Sequence, residues 1–146
     1  MRDVTEVLAR LDPIATRHPL PLRIAYHDAC HLSHGQKVRA QPRALLQAIP
    51  GVELVEIPDG DQCCGSAGVY NLVQPESADV IGRRKAEAVL STGANVLASA
   101  NPGCTLHVAR LLAERGARIE AAHPLELLDR AIGAAPQDAE KLPRKP

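Results

Sequence analysis

Four cysteines, Cys30, the adjacent pair Cys63 and Cys64, and Cys104, are the residues of this chain whose type and spacing best suit chemistry. Thiolates are soft ligands that favour iron–sulfur clusters, Zn²⁺ or Cu(I), and a bound metal stabilises their deprotonated form. Each cysteine follows a short apolar run that reads as a β-strand. In an open α/β sheet the carboxyl ends of the strands face one crevice, so thiols distant in sequence meet there. Cys30 and Cys63 stand 33 positions apart and Cys64 and Cys104 stand 40 apart. These intervals are too long for a local zinc knuckle, and each is close to the length of one βαβ unit. The four thiols are therefore expected to form a single site. Two adjacent cysteines strain a single tetrahedral ion but can reach two irons of a larger cluster, which puts iron–sulfur ahead of zinc.

The surrounding residues refine that reading. Gly65 and Gly68, in GDQCCGSAG, would let backbone N–H groups approach the sulfurs, where such hydrogen bonds tune a reduction potential. His27, His31 and His34 flank the first cysteine in AYHDACHLSHGQ. An imidazole can bind metal or donate to a cluster sulfide, and neighbours of the ligands is a better description of these residues than ligands. The blander reading makes His27 and Asp28 a strand-end hydrogen-bonded pair, with His34 capping the next helix. Asn101 precedes Cys104 in ASANPGC, where Asn is a good turn or N-cap residue in its own right. His123, before Pro124, reads first as a cap or strand-end residue. Alternatives for the thiols stay open at this point: small buried apolar groups, a vicinal disulfide or redox switch, or a zinc site completed by His27 or His31. No C-x-x-C occurs to suggest a thioredoxin-type mechanism.

The elements that must position these residues repeat as a unit: an apolar strand, a loop, an amphipathic helix, then a glycine. Strands are expected at 22–26, 52–57, 96–100 and 118–122. Gly51, Gly93 and Gly116 stand just before the last three, where a helix C′ residue takes positive φ. Helical faces are read from Ala44, Leu45 and Ala48; from Ala78, Ile81, Lys85 and Ala88; from Val108, Leu111 and Leu112; and from Leu125, Leu128 and Ile132. Strands alternating with helices predict an α/β fold, a parallel sheet of about four strands with flanking helices and right-handed crossovers. Ahead of it, residues 1–21 read as a short helix, with Asp3 and Glu6 as a capping box and Val4, Val7, Leu8 and Leu11 on one face, followed by a Pro-rich lead-in. Residues 22–133 form the domain and 134–146 a flexible tail. The segment 58–75 is too rich in Gly, Pro, Asp and Asn to be a simple connection, and a long loop inside a compact domain is usually a working part.

The chain has 146 residues, enough for one domain with its own core. Lys plus Arg and Asp plus Glu both number 17 without blocks of like charge, and Tyr26 and Tyr70 are the sole aromatics. No electrostatic footprint or stacking platform for nucleic acid results. No apolar stretch approaches the roughly 20 residues that span a bilayer, and the start lacks a signal peptide's apolar core, so a soluble cytoplasmic protein is expected.

With YHDACHLSHGQK, DQCCGSAGVYN and ANPGC in hand, the sequence resembles the cysteine-rich CCG domain over roughly residues 22–132. It is most similar to the C-terminal copy in the iron–sulfur subunit of glycolate oxidase (glycolate dehydrogenase). Related domains occur in the lactate-utilisation iron–sulfur protein and in heterodisulfide reductase. The resemblance implies a non-catalytic electron-transfer subunit. In such complexes an FAD-binding subunit oxidises a 2-hydroxy acid, and the iron–sulfur subunit relays the electrons towards a quinone or other acceptor. It implies Cys30, Cys63, Cys64 and Cys104 as ligands of a [4Fe–4S]-type cluster, with Gly65, Gly68, His27, His31 and Asn101 beside it. Asn101 stands where the family's terminal C-x-x-C has its first cysteine; four thiolates still complete a [4Fe–4S] ligand set, without the fifth used in the unusual heterodisulfide reductase arrangement. Expected partners are the FAD-binding oxidase subunits and an upstream ferredoxin-type domain, with peripheral association at the inner face of the membrane through the complex. The ferredoxin-type cysteine run itself is absent, so the chain reads as a fragment, a split subunit or a shortened homologue. The competing class is a docking module that keeps the fold without a cluster.

Overall fold

The computed structural model describes residues 2–133; the tail expected at 134–146 lies outside the described residues. Four parallel strands form its centre: β1 (Arg23–His27), β2 (Glu53–Glu56), β3 (Val96–Ser99) and β4 (Glu120–Ala122), in the order β2-β1-β3-β4. The helices are α1 (Val4–Leu8), α2 (Ala40–Gln47), α3 (Tyr70–Val73), α4 (Pro75–Ser91), α5 (Pro102–Glu114) and α6 (Pro124–Gly133). This is the α/β fold that the alternating pattern predicts. Gly51, Gly93 and Gly116 all take positive φ where the chain turns into β2, β3 and β4.

The layers follow from side-chain alternation along the strands. Ile24 and Tyr26 of β1 and Val96 and Ala98 of β3 pack on one face with Leu45 and Leu46 of α2 and Leu127, Leu128 and Ala131 of α6. Ala25 and Leu97 face the other side, against Ala86 and Val89 of α4 and Val108, Leu111 and Leu112 of α5. The chain runs from β1 outward to β2, then returns past β1 to β3, changing both direction and face. That double reversal keeps successive crossovers of one hand and leaves a switch point between the ends of β1 and β3.

Several boundaries differ from the sequence reading. β4 starts at Glu120 rather than 118, because its neighbour begins at Val96, which pairs with Glu120. In α1, Asp3 caps the Thr5 N–H at 2.9 Å, but Glu6 turns to Arg10 at 2.7 Å instead of closing a capping box. Thr5 is the buried residue of α1, while Val4 and Val7 are exposed and Leu11 lies beyond its end. The buried faces of α2 and α4 are shifted by about one residue, to Pro42, Leu45 and Leu46 and to Ala78, Gly82, Lys85, Ala86 and Val89. Two elements depart from the expected pattern: a π-helical turn (His31–Gln36) directly after Cys30, and α3 inside the long loop.

Candidate metal centre

Each segment bearing cysteine is placed by a different strand. Cys30 follows β1 at the entrance to the π-helical turn and is exposed. Cys63 and Cys64 follow β2; Cys63 is exposed and Cys64 is buried. Cys104 lies in the first turn of α5, after β3, and is buried. His27 is the last residue of β1 and shares the parity of Ala25, so it leaves the sheet on the α4/α5 face, where Cys64 and Cys104 are part of the core. The sulfurs of Cys64 and Cys104 and a ring nitrogen of His27 all lie within 4.8 Å of one another, and all three residues are buried. Cys30, three residues after His27, and Cys63, next to Cys64, are exposed and stand outside this buried group.

The electrostatics follow from that crowding. The Cys104 thiol donates to Cys64, which holds Cys64 well below the ordinary thiol range despite its burial, with His27 and the Ser66 N–H helping. Cys104 is pushed up correspondingly, by the same hydrogen bond and by burial. Burial also raises Cys63, against the Gly65 N–H that donates to its sulfur at 3.4 Å. Two buried thiols as close as Cys64 and Cys104 cannot both ionise without a compensating cation. His27 Nδ1 is buried with no hydrogen-bond partner, an orphaned lone pair or proton beside soft donors. A thiophilic metal centre fits this donor set on both counts.

The turn that carries the pair is built for close approach. Gly65 has φ +90°, and a Cβ there would come within 2.4 Å of the Ala78 carbonyl oxygen and 3.3 Å of His107 Nε2. Gly68 is also left-handed, at +66°, with open space around it. Asn101 is the N-cap of α5: its Oδ1 accepts from the Cys104 N–H at 3.2 Å, and its Nδ2 meets His31 Nδ1 at 3.1 Å. His31 is therefore tied to the α5 entrance and lies outside the buried His27–Cys64–Cys104 group. The strand-end pairing of His27 with Asp28 does not form: His27 Nδ1 has no partner and the ring lies with Cys64 and Cys104, while Arg43 donates to both Asp28 carboxylate oxygens, at 2.8 and 2.6 Å. Nor does His34 cap α2, whose N-cap position is Arg39 without a side-chain bond. His123 does cap α6, through its Nδ1 and the Leu125 N–H at 3.2 Å.

Three contributors escape the sequence reading. His107 is buried beneath the turn, with Nε2 at 3.3 Å from the Ala78 carbonyl oxygen; its place three residues after Cys104, on the same helical face, is the available signal. Arg43 bridges Asp28 and Glu56 and lies 4.9 Å above the Tyr26 ring, and nothing in the sequence marks it. Lys85 belongs to an expected helical face but carries no expected role there, although a charge on a buried stripe is itself unusual. A separate apolar groove of about 520 Å³, lined by Leu8, Leu11, Ile14, Leu128 and Ile132 among others, contains no cysteine or histidine.

Fold and site together define a doubly wound α/β domain that gathers thiols at the carboxyl edge of its sheet. The chain belongs to the CCG cysteine-rich domain family, whose pattern matches residues 24–109. It is 40% identical over 131 residues to one of the subunits of the fumarate reductase (CoM/CoB) of Methanothermobacter marburgensis, covering 88% of this chain and 27% of that protein. It is 36% identical over 137 residues to a probable glycolate oxidase iron-sulfur subunit of Bacillus subtilis, covering 91% of this chain and 31% of that one. Lactate utilization protein A of Oceanobacillus iheyensis is 29% identical over 107 residues, with 73% and 44% covered. The chain thus spans about a quarter to a third of the first two of these relatives. Among the described residues no helix is long and apolar enough to cross a membrane.

Proposed function

We propose that this chain is an iron–sulfur electron-transfer domain in which Cys30, Cys63, Cys64 and Cys104 hold a [4Fe–4S]-type cluster. The observation that carries this reading is the convergence of Cys64, Cys104 and His27 within 4.8 Å at the switch point of the sheet, with the two exposed cysteines flanking them. When bound, such a cluster supplies a one-electron carrier. The chain's own residues then do three things. The thiolates anchor it, the turn at Gly65 and Ser66 turns N–H groups toward the sulfurs, and the α4/α5 core shields its inner side from water, leaving the Cys30–Cys63 side accessible to a partner. His27 serves as a hydrogen-bond donor beside the sulfurs.

The names of the relatives, a glycolate oxidase iron-sulfur subunit and lactate utilization proteins, support a place in a complex that oxidises a 2-hydroxy acid. In that complex the domain receives electrons that originate at an FAD-binding subunit and passes them towards a quinone or other acceptor. An upstream ferredoxin-type domain, and work in the cytoplasm at the inner face of the membrane through these partners, belong to the same proposal.

The buried His27–Cys64–Cys104 triad favours one second reading, a mononuclear zinc site. Anaerobic reconstitution with iron and sulfide, followed by metal and acid-labile sulfide analysis and electron paramagnetic resonance, separates the two. Equal iron and sulfide, with a paramagnetic signal that appears on one-electron reduction, is expected. One zinc without sulfide selects the second reading, and a purified chain that takes up neither overturns both.

A further inference from the structure

Lys85 is 3% exposed, in the middle of α4. A buried ammonium is costly unless hydrogen bonds and opposite charge compensate it. Its hydrogen bonds go to the loop that carries the cysteine pair: Nζ donates to the Asp59 carbonyl oxygen at 2.9 Å and to that of Gly60 at 3.4 Å. The buried face of α4 runs beneath this loop, with Ala78 under Gly65, Gly82 against His107, and Lys85 two turns beyond Ala78 under Asp59 and Gly60. Among the described residues no carboxylate forms an ion pair with Lys85. Burial is the largest influence on the Lys85 ammonium and draws its pKa down, and the groups that push the other way are Cys64, then Asp61, Asp59 and Cys63 on the loop above it.

We infer that Lys85 is the fixed countercharge of the cysteine site, a buried cation that offsets thiolate charge and sets the reduction potential of the bound centre. Reduction adds negative charge to an already anionic site, so a nearby cation held away from water favours the reduced form and raises the potential. The two carbonyl bonds fix where the charge sits. Lys85 acts through space on the centre without touching it, and is in that sense a positioning and tuning residue.

This inference rests on the iron–sulfur reading above, and the test separates the two. Wild type, Lys85→Arg, Lys85→Gln and Lys85→Met are reconstituted anaerobically, assayed for bound iron and sulfide, and titrated potentiometrically with electron paramagnetic resonance detection. Gln keeps a donor for the loop carbonyls but removes the charge; Arg keeps the charge. The midpoint potentials of the Gln and Met variants are expected to shift negative together, while the Arg variant stays with wild type. Where a neutral variant is too unstable to purify, the other carries the comparison. Loss of iron and sulfide from both neutral variants, with retention in Lys85→Arg, also supports the countercharge role. A Gln or Met variant that holds its cluster at the wild-type potential overturns it and leaves a loop clamp. A wild-type chain that takes up no iron or sulfide overturns the iron–sulfur reading first, and the role of Lys85 with it.

Discussion

At the residue scale the site depends on a few atoms with no room to move. Gly65 combines a left-handed backbone with a carbonyl oxygen 2.4 Å from where a Cβ would sit. Gly65→Ala therefore suffers both strain and overlap, and is expected to lose more than about 1 kcal/mol of stability in urea unfolding. The Ala78 carbonyl that it strikes also accepts from His107, so the damage extends to the floor beneath the cysteines. Cys64→Ser and Cys104→Ser remove soft donors from the buried group and should each abolish retention of iron and sulfide after reconstitution. Cys30→Ser, at the exposed side, is expected to leave a residual, altered paramagnetic signal, because oxygen is a poorer ligand at a position where water has access.

At the scale of elements, two devices hold the strand ends together. The first is the Asn101 cap, which orients the first turn of α5 and Cys104 with it. Asn101→Ala should cost about 1 kcal/mol in chemical unfolding, and Asn101→Asp should recover most of that, since a carboxylate caps equally well. The second is the Arg43 fork from α2, which joins Asp28 after β1 to Glu56 at the end of β2. The Asp28 side chain is 8% exposed. Arg43→Leu leaves its charge unpaired and is expected to destabilise the domain by about 3 kcal/mol, with a partial recovery in the double variant carrying Asp28→Asn. Calorimetry on the four members of that cycle checks the coupling.

For the whole molecule, pH and metal loading are the informative variables. The Arg43 hydrogen bond holds the Glu56 carboxyl below its ordinary value of 4.5. A group with a lowered folded pKa stabilises the fold above its unfolded value, and the contribution disappears as pH falls through the folded one. The stability difference between wild type and Glu56→Gln should thus be constant near neutrality and shrink as pH falls below the ordinary 4.5, and stay small throughout because Glu56 is largely exposed. A centre that binds only the folded chain adds to its stability by mass action. Reconstituted protein is expected to melt at a higher temperature than the chelated form in differential scanning calorimetry, with the gap lost in Cys104→Ser.

The local sequence alone determined the order and type of the main elements, because apolar periodicity and glycines at the helix exits act over a few residues. It also brought Cys30, Cys63, Cys64 and Cys104 to strand ends, since a parallel sheet with helical crossovers delivers every such end to the same edge. The tertiary structure alone decided which of them are buried, and that His27 rather than His31 joins Cys64 and Cys104. That outcome depends on the face from which β1 releases its last side chain and on which helices cover that face. The partners of Arg43 and Lys85 were equally out of reach of the sequence, because a long cation chooses among groups that lie near each other only once the sheet order β2-β1-β3-β4 has formed. Spacing along the chain records that the thiols can meet; the packing of α4 and α5 against β1 and β3 fixes the depth, the charge and the neighbours they meet with.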